Sequence, residues 1–275
     1  MGTSRRRGRQ KSALPDTGLP GKRLPPVNGA EFRTMEKIYG KHSVRAVFLG
    51  RPAAIRRLII AGKESYHEEF IAKARALSIE PEFLIWSDFL KTCKLKAEDK
   101  HQGICLFAEP RPIHTDKDLE ILLDARSIVM LDQVSNPQNL ATILRSAAFF
   151  KMDAVMMLRN RAAEVTPEVA RFAVGGAELV RIFQVTNLSQ ALVRLRKLGF
   201  WAYGLDERGK KTLSQADFAQ KAVFVIGAEG EGLRPKTRKY CDELVRIPGG
   251  RPGLESLNAG VAAAVTMAER ARSRD

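Results

Sequence analysis

The stretch SIVMLDQVSNPQNLATILRSAAFFKMDAVMML, residues 127–158, decides the fold class. Ser127 to Leu131 is of strand length and apolar from Ile128 on, closed by polar residues and a proline. From Leu140 the apolar residues fall at Leu140, Ile143, Leu144 and Ala147, the i, i+3, i+4, i+7 spacing of one helix face. Ala154 to Leu158 is a second strand-length apolar run. Strands this uniformly apolar are covered on both faces, and two of them joined by a helix lie parallel.

The same rhythm continues downstream. Thr166, Pro167 and Glu168 supply an N-cap, a first-turn proline and an early acid, which together open a short helix. Leu179 to Val185 predicts a strand, and Leu188, Ala191, Leu192 and Leu195 predict a helix that stops at Gly199. Phe200 to Leu205, Ala222 to Ile226 and Glu243 to Ile247 predict further strands, and Ala259 to Arg272 a final helix. The fold class is therefore α/β, with a mostly parallel sheet over residues 127–275. Upstream, Lys41 to Leu49 and Tyr66 to Leu77 read as helices. Leu58 to Ala61, Glu82 to Ile85 and Ile104 to Phe107 read as strands, so residues 34–109 form a smaller α/β domain. Residues 110–126, punctuated by proline and then charged and helical, predict a linker.

A hydrophobic fraction of 44% is enough to build both cores, and a net charge of +15 points to a polyanionic partner. Residues 1–33 carry eight lysines and arginines against two acids and lack the apolar residues needed to offset chain entropy. They predict a disordered basic tail, either an arm that binds phosphates nonspecifically or a solubilising extension. Its prolines and glycines oppose the amphipathic helix of a mitochondrial transit peptide. With no long apolar run and no secretory signal pattern, membrane spanning and export are not indicated, and a cytoplasmic location is expected. Cys93, Cys105 and Cys241 have no metal-ligand spacing and read as reduced thiols, so no metal is expected.

Three constellations can carry chemistry. In the first, Asn139 stands where strand gives way to helix and is expected to cap free N–H groups, with Arg145 six residues on, nearly two helical turns, so that both are expected to point to one side of the strand ends, the rim where open α/β sheets bind ligands. Taken alone, it reads first as a capped helix with an exposed arginine. In the second, a strand ends in Gly227-Ala228-Glu229-Gly230-Glu231-Gly232. Alternating glycines allow close backbone approach to a ligand, but the spacing matches neither dinucleotide nor P-loop fingerprints, and acids there repel phosphate. The third runs from Ile247-Pro248-Gly249-Gly250 through Ser256-Leu257-Asn258 into the small residues Gly260 to Ala264. Ser256 or Asn258 can cap the helix that follows, and a tightly packed final helix accounts for the rest.

Together, and in this order, the three motifs resemble those of the SpoU/TrmH family of the SPOUT superfamily of RNA ribose 2′-O-methyltransferases. The resemblance covers residues 127–275. It implies a deep trefoil knot, which ordinary chain-connection rules do not suggest. It also implies S-adenosyl-L-methionine held by Gly227, Ile247 and Leu257, with Asn139, Arg145, Glu229, Ser256 and Asn258 facing the transfer site, and a homodimer. The N-terminal α/β segment resembles the L30e-like RNA-binding domain of the same family, through Tyr39-Gly40 and His101-Gln102-Gly103. That pairing favours ribosomal RNA over tRNA as substrate. Three departures stand out: Ala141 where the family has Gly, Gly260 where many members have Ser, and a loop from Gly249 to Leu254 one residue longer than usual.

The four histidines, His42, His67, His101 and His114, lie outside the catalytic half, so the commonest general base is missing there. A guanidinium is a poor proton acceptor, so Arg145 is expected as an electrostatic clamp on phosphate and developing alkoxide, with Glu229 accepting the proton or orienting Arg145. The alternative from another class is a catalytically decayed RNA-binding or ribosome-assembly factor. A nucleotide-dependent oxidoreductase is disfavoured by the absent dinucleotide fingerprint.

Overall fold

Eight of the strands form one sheet in which every pairing is parallel, as the uniform apolar runs require. The computed structural model describes residues 35–274 apart from 161 and 252–255. The basic tail expected over residues 1–33 lies outside the described residues, as does part of the loop read as lengthened.

The first sheet contains β1 (Glu36–Tyr39), β2 (Ile55–Ala61), β3 (Glu82–Leu84) and β4 (Ile104–Ala108), in the order β1-β4-β2-β3. Helices α1 (Lys41–Gly50), α2 (Glu68–Ala76) and α3 (Trp86–Cys93) accompany it. Strand β4 is antiparallel to β1 and β2, whereas β2 and β3 run parallel, so the C-terminal ends of β1, β2 and β3 share one rim. Val44, Val47, Leu58, Ile60, Phe70 and Leu106 form its core. Two elements were not expected: β1, four residues with a single buried position, and α3, whose Trp86, Phe89, Leu90 and Cys93 carried the i, i+3, i+4, i+7 spacing over only eight residues.

The second sheet has the order β10-β12-β9-β11-β6-β7-β8-β5. Its strands are β5 (Ile113–His114), β6 (Ser127–Leu131), β7 (Ala154–Leu158), β8 (Arg181–Val185), β9 (Trp201–Leu205), β10 (Lys211–Thr212), β11 (Ala222–Ile226) and β12 (Glu243–Arg246). Helices α4 (Pro137–Phe149) and α9 (Ala259–Arg272) cover one face, where Leu140, Ile143, Leu144, Ala263 and Met267 are buried together. Helix α7 (Leu188–Lys197) covers the other through Leu188, Ala191, Leu192 and Leu195. The remaining helices, α5 (Pro167–Phe172), α6 (Gly176–Leu179) and α8 (Pro235–Arg238), are short. The strand expected from Leu179 begins at Arg181, because the preceding residues form the single turn α6 against α4.

Residues 110–126 are not the free connector expected of them. Ile113 and His114 pair with β8 as the edge of the second sheet, and Leu119 and Leu122, on a 3-10 turn spanning Asp116–Leu122, are buried in its core. The apolar spacing of Ile113, Leu119 and Leu122 carried that signal beneath the prolines and charges. The two sheets pack as one unit over residues 34–275. Arg51 Nε donates to Glu178 Oε2 at 2.6 Å and Arg51 Nη2 to Glu36 Oε2 at 2.6 Å, while Arg111 reaches Glu36 and Glu178 at 3.1 Å. Burying four charges is tolerable here because each is paired twice.

From β6 the chain moves outward through β7 and β8, then crosses over to β9 and returns as β11 between β9 and β6. At such a reversal the loops part and leave a crevice at the carboxyl ends of the strands. Helix α9 is fixed at the opposite end by Arg270. Its side chain is buried, with Nε donating to Ser127 Oγ at 2.8 Å and Nη2 to the Gln220 carbonyl at 2.7 Å. We expect Arg270→Ala to cost about 2–4 kcal/mol in denaturant unfolding, since it strands buried acceptors and opens a cavity.

Cys93 and Cys105 are buried, and burial pushes the Cys241 thiol up to about 12. The native protein should therefore resist thiol reagents at pH 8, with the three cysteines titrating only after unfolding. Rapid labelling of Cys241 in the folded protein would contradict this.

Candidate active site

Helix α4 begins at Asn136, whose Oδ1 accepts the Gln138 N–H at 2.8 Å, with Pro137 in the first helical position. The cap expected at Asn139 is thus supplied three residues earlier. Asn139 sits one turn into the helix, buried, and its amide is free to bond across the site. Its Nδ2 donates to Glu229 Oε2 at 3.1 Å, and its Oδ1 accepts from Asn258 Nδ2 at 2.9 Å. Asn258 Nδ2 also lies 3.4 Å from both Glu229 oxygens. Asn258 Oδ1 meanwhile accepts the Gly260 and Val261 N–H groups, so Asn258 is the residue that caps α9. One side chain from each of the three motifs meets at this point. Two amides hold the Glu229 carboxylate in place.

Glu229 lies in the loop that follows β11. Ala228 and Gly232 exchange backbone hydrogen bonds of 3.1 and 3.0 Å, folding the loop back on its own strand. A Cβ on Gly227 would lie 2.1 Å from the Gly232 carbonyl carbon, so only glycine permits this closure.

A cleft of about 380 Å³ opens beside this loop. The segments after β9, β11 and β12 wall it in, together with Ser256 and Leu257 ahead of α9, all at the carboxyl end of the sheet. Of the residues singled out from the sequence, Gly227, Glu229, Ile247, Ser256 and Leu257 line it, and Asn139 and Asn258 are joined to it through Glu229. Arg145 does not line it. At about 100° per helical residue, Arg145 points about 120° around α4 from Asn139. It is exposed, and its guanidinium has no hydrogen-bond or ion-pair partner among the described residues.

Two ion pairs that brace the cleft were not foreseen. Asp132, fully buried, accepts from Arg234 Nε at 2.6 Å and from the Arg234 N–H at 3.1 Å, tying the end of β6 to the segment after β11. Asp206 accepts from Arg238 Nε at 2.7 Å, and both line the cleft. Each acid is the first residue beyond an apolar strand, the position that could have betrayed it. The lining carries four carboxylates, Asp206, Glu207, Glu229 and Glu231, and three guanidiniums, Arg208, Arg238 and Arg246, with Arg238 paired to Asp206; on the glycine loop itself the charged groups are Glu229 and Glu231. Among the described residues no group of three or more His, Cys, Asp or Glu is placed to hold a metal ion.

An all-parallel α/β sheet with a glycine-closed cleft at a strand-order reversal defines a small-ligand α/β protein with a preorganised carboxylate. Comparison with known proteins narrows the class. Residues 126–268 match the model of the SpoU rRNA methylase family. A 23S rRNA (guanosine-2′-O-)-methyltransferase of Pseudomonas syringae pv. tomato is 32% identical over 244 residues, covering 87% of this chain and 96% of the relative. The enzyme of the same name from Acinetobacter baylyi is 34% identical over 249 residues, 87% of this chain and 98% of the relative. Among solved structures, the SpoU methyltransferase AviRb from Streptomyces viridochromogenes in complex with AdoMet has a TM-score of 0.68 at 22% identity, covering 91% of this chain and 95% of that one. At that identity the likeness speaks for the fold. The chain belongs to the SpoU rRNA methylase family.

Proposed function

We propose that the protein transfers the methyl group of S-adenosyl-L-methionine to a ribose 2′-hydroxyl of ribosomal RNA. The observation that carries this reading is the meeting of Asn139, Glu229 and Asn258, one from each motif, at the edge of the cleft. The relatives named above, methyltransferases of guanosine in 23S rRNA, favour ribosomal RNA over tRNA.

The cleft fits the cofactor. The bare Gly227 lets the loop close where a side chain would hold it open, and Glu229 and Glu231 on that loop would complement a sulfonium. Gly227, Ile247 and Leu257 hold the cofactor, which when bound supplies an electrophilic methyl group. Glu229, aligned by the two amides, orients the 2′-hydroxyl and accepts its proton. Ser256, on the same cleft, positions the ribose. Arg145, unpaired and outside the cleft, clamps the adjacent phosphate and offsets charge growing on the 2′-oxygen. Alignment of the reacting oxygen contributes on the order of several kcal/mol.

A decayed RNA-binding factor would have no use for a carboxylate held by two amides beside a cofactor-sized cleft. The reading extends to three further points. The trefoil threading is supported by α9 packing on α4 after Ile247 and Leu257 have lined the cleft formed by the loops behind β9 and β11. A homodimer is supported by Val261 and Val265, exposed one turn apart on α9. Residues 34–109 are assigned to RNA binding, and the site of action to the cytoplasm; among the described residues no helix is long and apolar enough to cross a membrane.

The test is incubation of the protein with S-adenosyl-L-methionine carrying a labelled methyl group and either unmodified ribosomal RNA or bulk tRNA. Label is expected in ribosomal RNA. Label in neither RNA would overturn the reading.

A further inference from the structure

The N-terminal rim holds aromatic side chains that the fold does not cover. Trp86 is 50% exposed, Tyr66 65% and Ile85 69%, at or just beyond the ends of β2 and β3. Large apolar groups left exposed side by side mark a contact surface more often than a structural need.

Trp86 is exposed yet firmly seated. Its ring lies over two backbone positions that must be glycine: a Cβ on Gly62 would sit 3.3 Å from Trp86 Cζ2, and one on Gly103 3.2 Å from Cη2. Phe89 meets the ring edge-to-face at 6.1 Å between centroids, and His101, itself buried, lies 5.6 Å away. His101 is held in turn through Nδ1, which accepts the Gly103 N–H at 3.1 Å. The His101-Gln102-Gly103 segment thereby serves as the bed for an aromatic plate. Tyr66 stands on the loop after β2, next in the chain to His67, whose Nε2 would lie 3.4 Å from a Cβ on Gly103.

The rim also carries cations. Lys41 follows Gly40 at the end of β1, Lys63 follows Gly62 at the end of β2, and Lys100 precedes β4. Lys41 Nζ donates to the Tyr66 carbonyl at 2.8 Å and lies 6.0 Å from the centre of its ring. The same loops and first turns carry the acids Glu64, Glu68, Asp88 and Asp99, of which Asp99 is engaged with the Lys96 N–H. Aromatic plates interleaved with lysines are the arrangement that binds unpaired nucleotides, bases stacking on the rings and phosphates meeting the ammonium groups. Paired bases hide their faces within the helix and cannot use such a plate.

We infer that Trp86 is a stacking platform for unpaired bases of the substrate RNA. The inference rests on the proposed RNA substrate. A ring already held by Phe89, His101 and two glycines loses little freedom on binding, which favours affinity.

Trp86 and Trp201 are the two tryptophans of the chain, so Trp201→Phe leaves Trp86 as the sole indole reporter. Titration of that variant with a short oligouridylate and with a ribosomal RNA transcript should quench its emission. Trp86→Ala should weaken RNA binding on the order of tenfold, Trp86→Phe much less. In both, the Kd for S-adenosyl-L-methionine should be unchanged, and the KM for RNA should rise in step with the loss of RNA affinity. If Trp201→Phe fails to fold, the difference between wild-type and Trp86→Phe titrations gives the same signal. Emission unaffected by saturating RNA, or an Ala variant binding RNA within twofold of wild type, overturns the inference. The outcome is separable from that of the function test. Methyl transfer with a silent Trp86 defeats this inference alone, and quenching without transfer defeats only the catalytic reading.

Discussion

The Arg145→Ala enzyme is expected to lose kcat by about 10²–10³-fold, the usual consequence of removing one donor aimed at developing oxyanion charge. Its affinity for S-adenosyl-L-methionine should not change, because Arg145 is absent from the cleft lining. Nor should its stability fall, because the guanidinium is exposed and has no partner among the described residues whose loss would strand a buried group. Arg145→Lys should recover only part of the rate, since an ammonium lacks the planar fork that meets two phosphate oxygens. A lysine enzyme with near-full kcat would remove the clamp from the account. Weakened cofactor binding in the alanine enzyme would place Arg145 elsewhere than proposed.

Gly227→Ala should be the most damaging single methyl group for cofactor binding. The added Cβ would meet Gly232 carbon, Gly232 oxygen and Leu233 nitrogen at 2.1–2.5 Å, all backbone, with no flexible side chain to give way. The loop must open, breaking the paired bonds between Ala228 and Gly232 and moving Glu229 off its two amides. Calorimetry should show a rise of about 100-fold or more in the Kd for S-adenosyl-L-methionine, on the order of 3 kcal/mol, comparable to the cost of overpacking a core. A Kd within threefold of wild type would mean the loop does not form the cofactor wall.

Much of the fold was legible because the central strands are buried on both faces. Strands such as Ile128 to Leu131 and Val223 to Ile226 then read as continuous apolar runs, and the helices between them keep a clean stripe. Short elements were not legible. Two-residue strands such as β5 and β10 have no periodicity to detect, and the prolines near β5 suggested a linker where the chain builds a sheet edge. At the site, residue types and order gave the motifs, but helix phase could not be fixed from spacing alone. Asn139 was read as a cap because asparagine favours that position. Asn136 takes it, and the register shift turns Asn139 inward toward Glu229. The same geometry separates Asn139 from Arg145 around the helix. The braces Asp132–Arg234 and Asp206–Arg238 join residues far apart in the chain, and a single sequence carries no pairing information of that kind.

The central claim is transfer to a ribose 2′-oxygen, and alkaline hydrolysis of the labelled product tests it most directly. RNA strand cleavage by base requires a free 2′-hydroxyl to attack the adjacent phosphate, so a 2′-O-methyl group protects the following bond. After exhaustive hydrolysis of ribosomal RNA methylated by the protein, all label should appear in alkali-stable dinucleotides. Label released in mononucleotides would place the methyl group on a base and contradict the account.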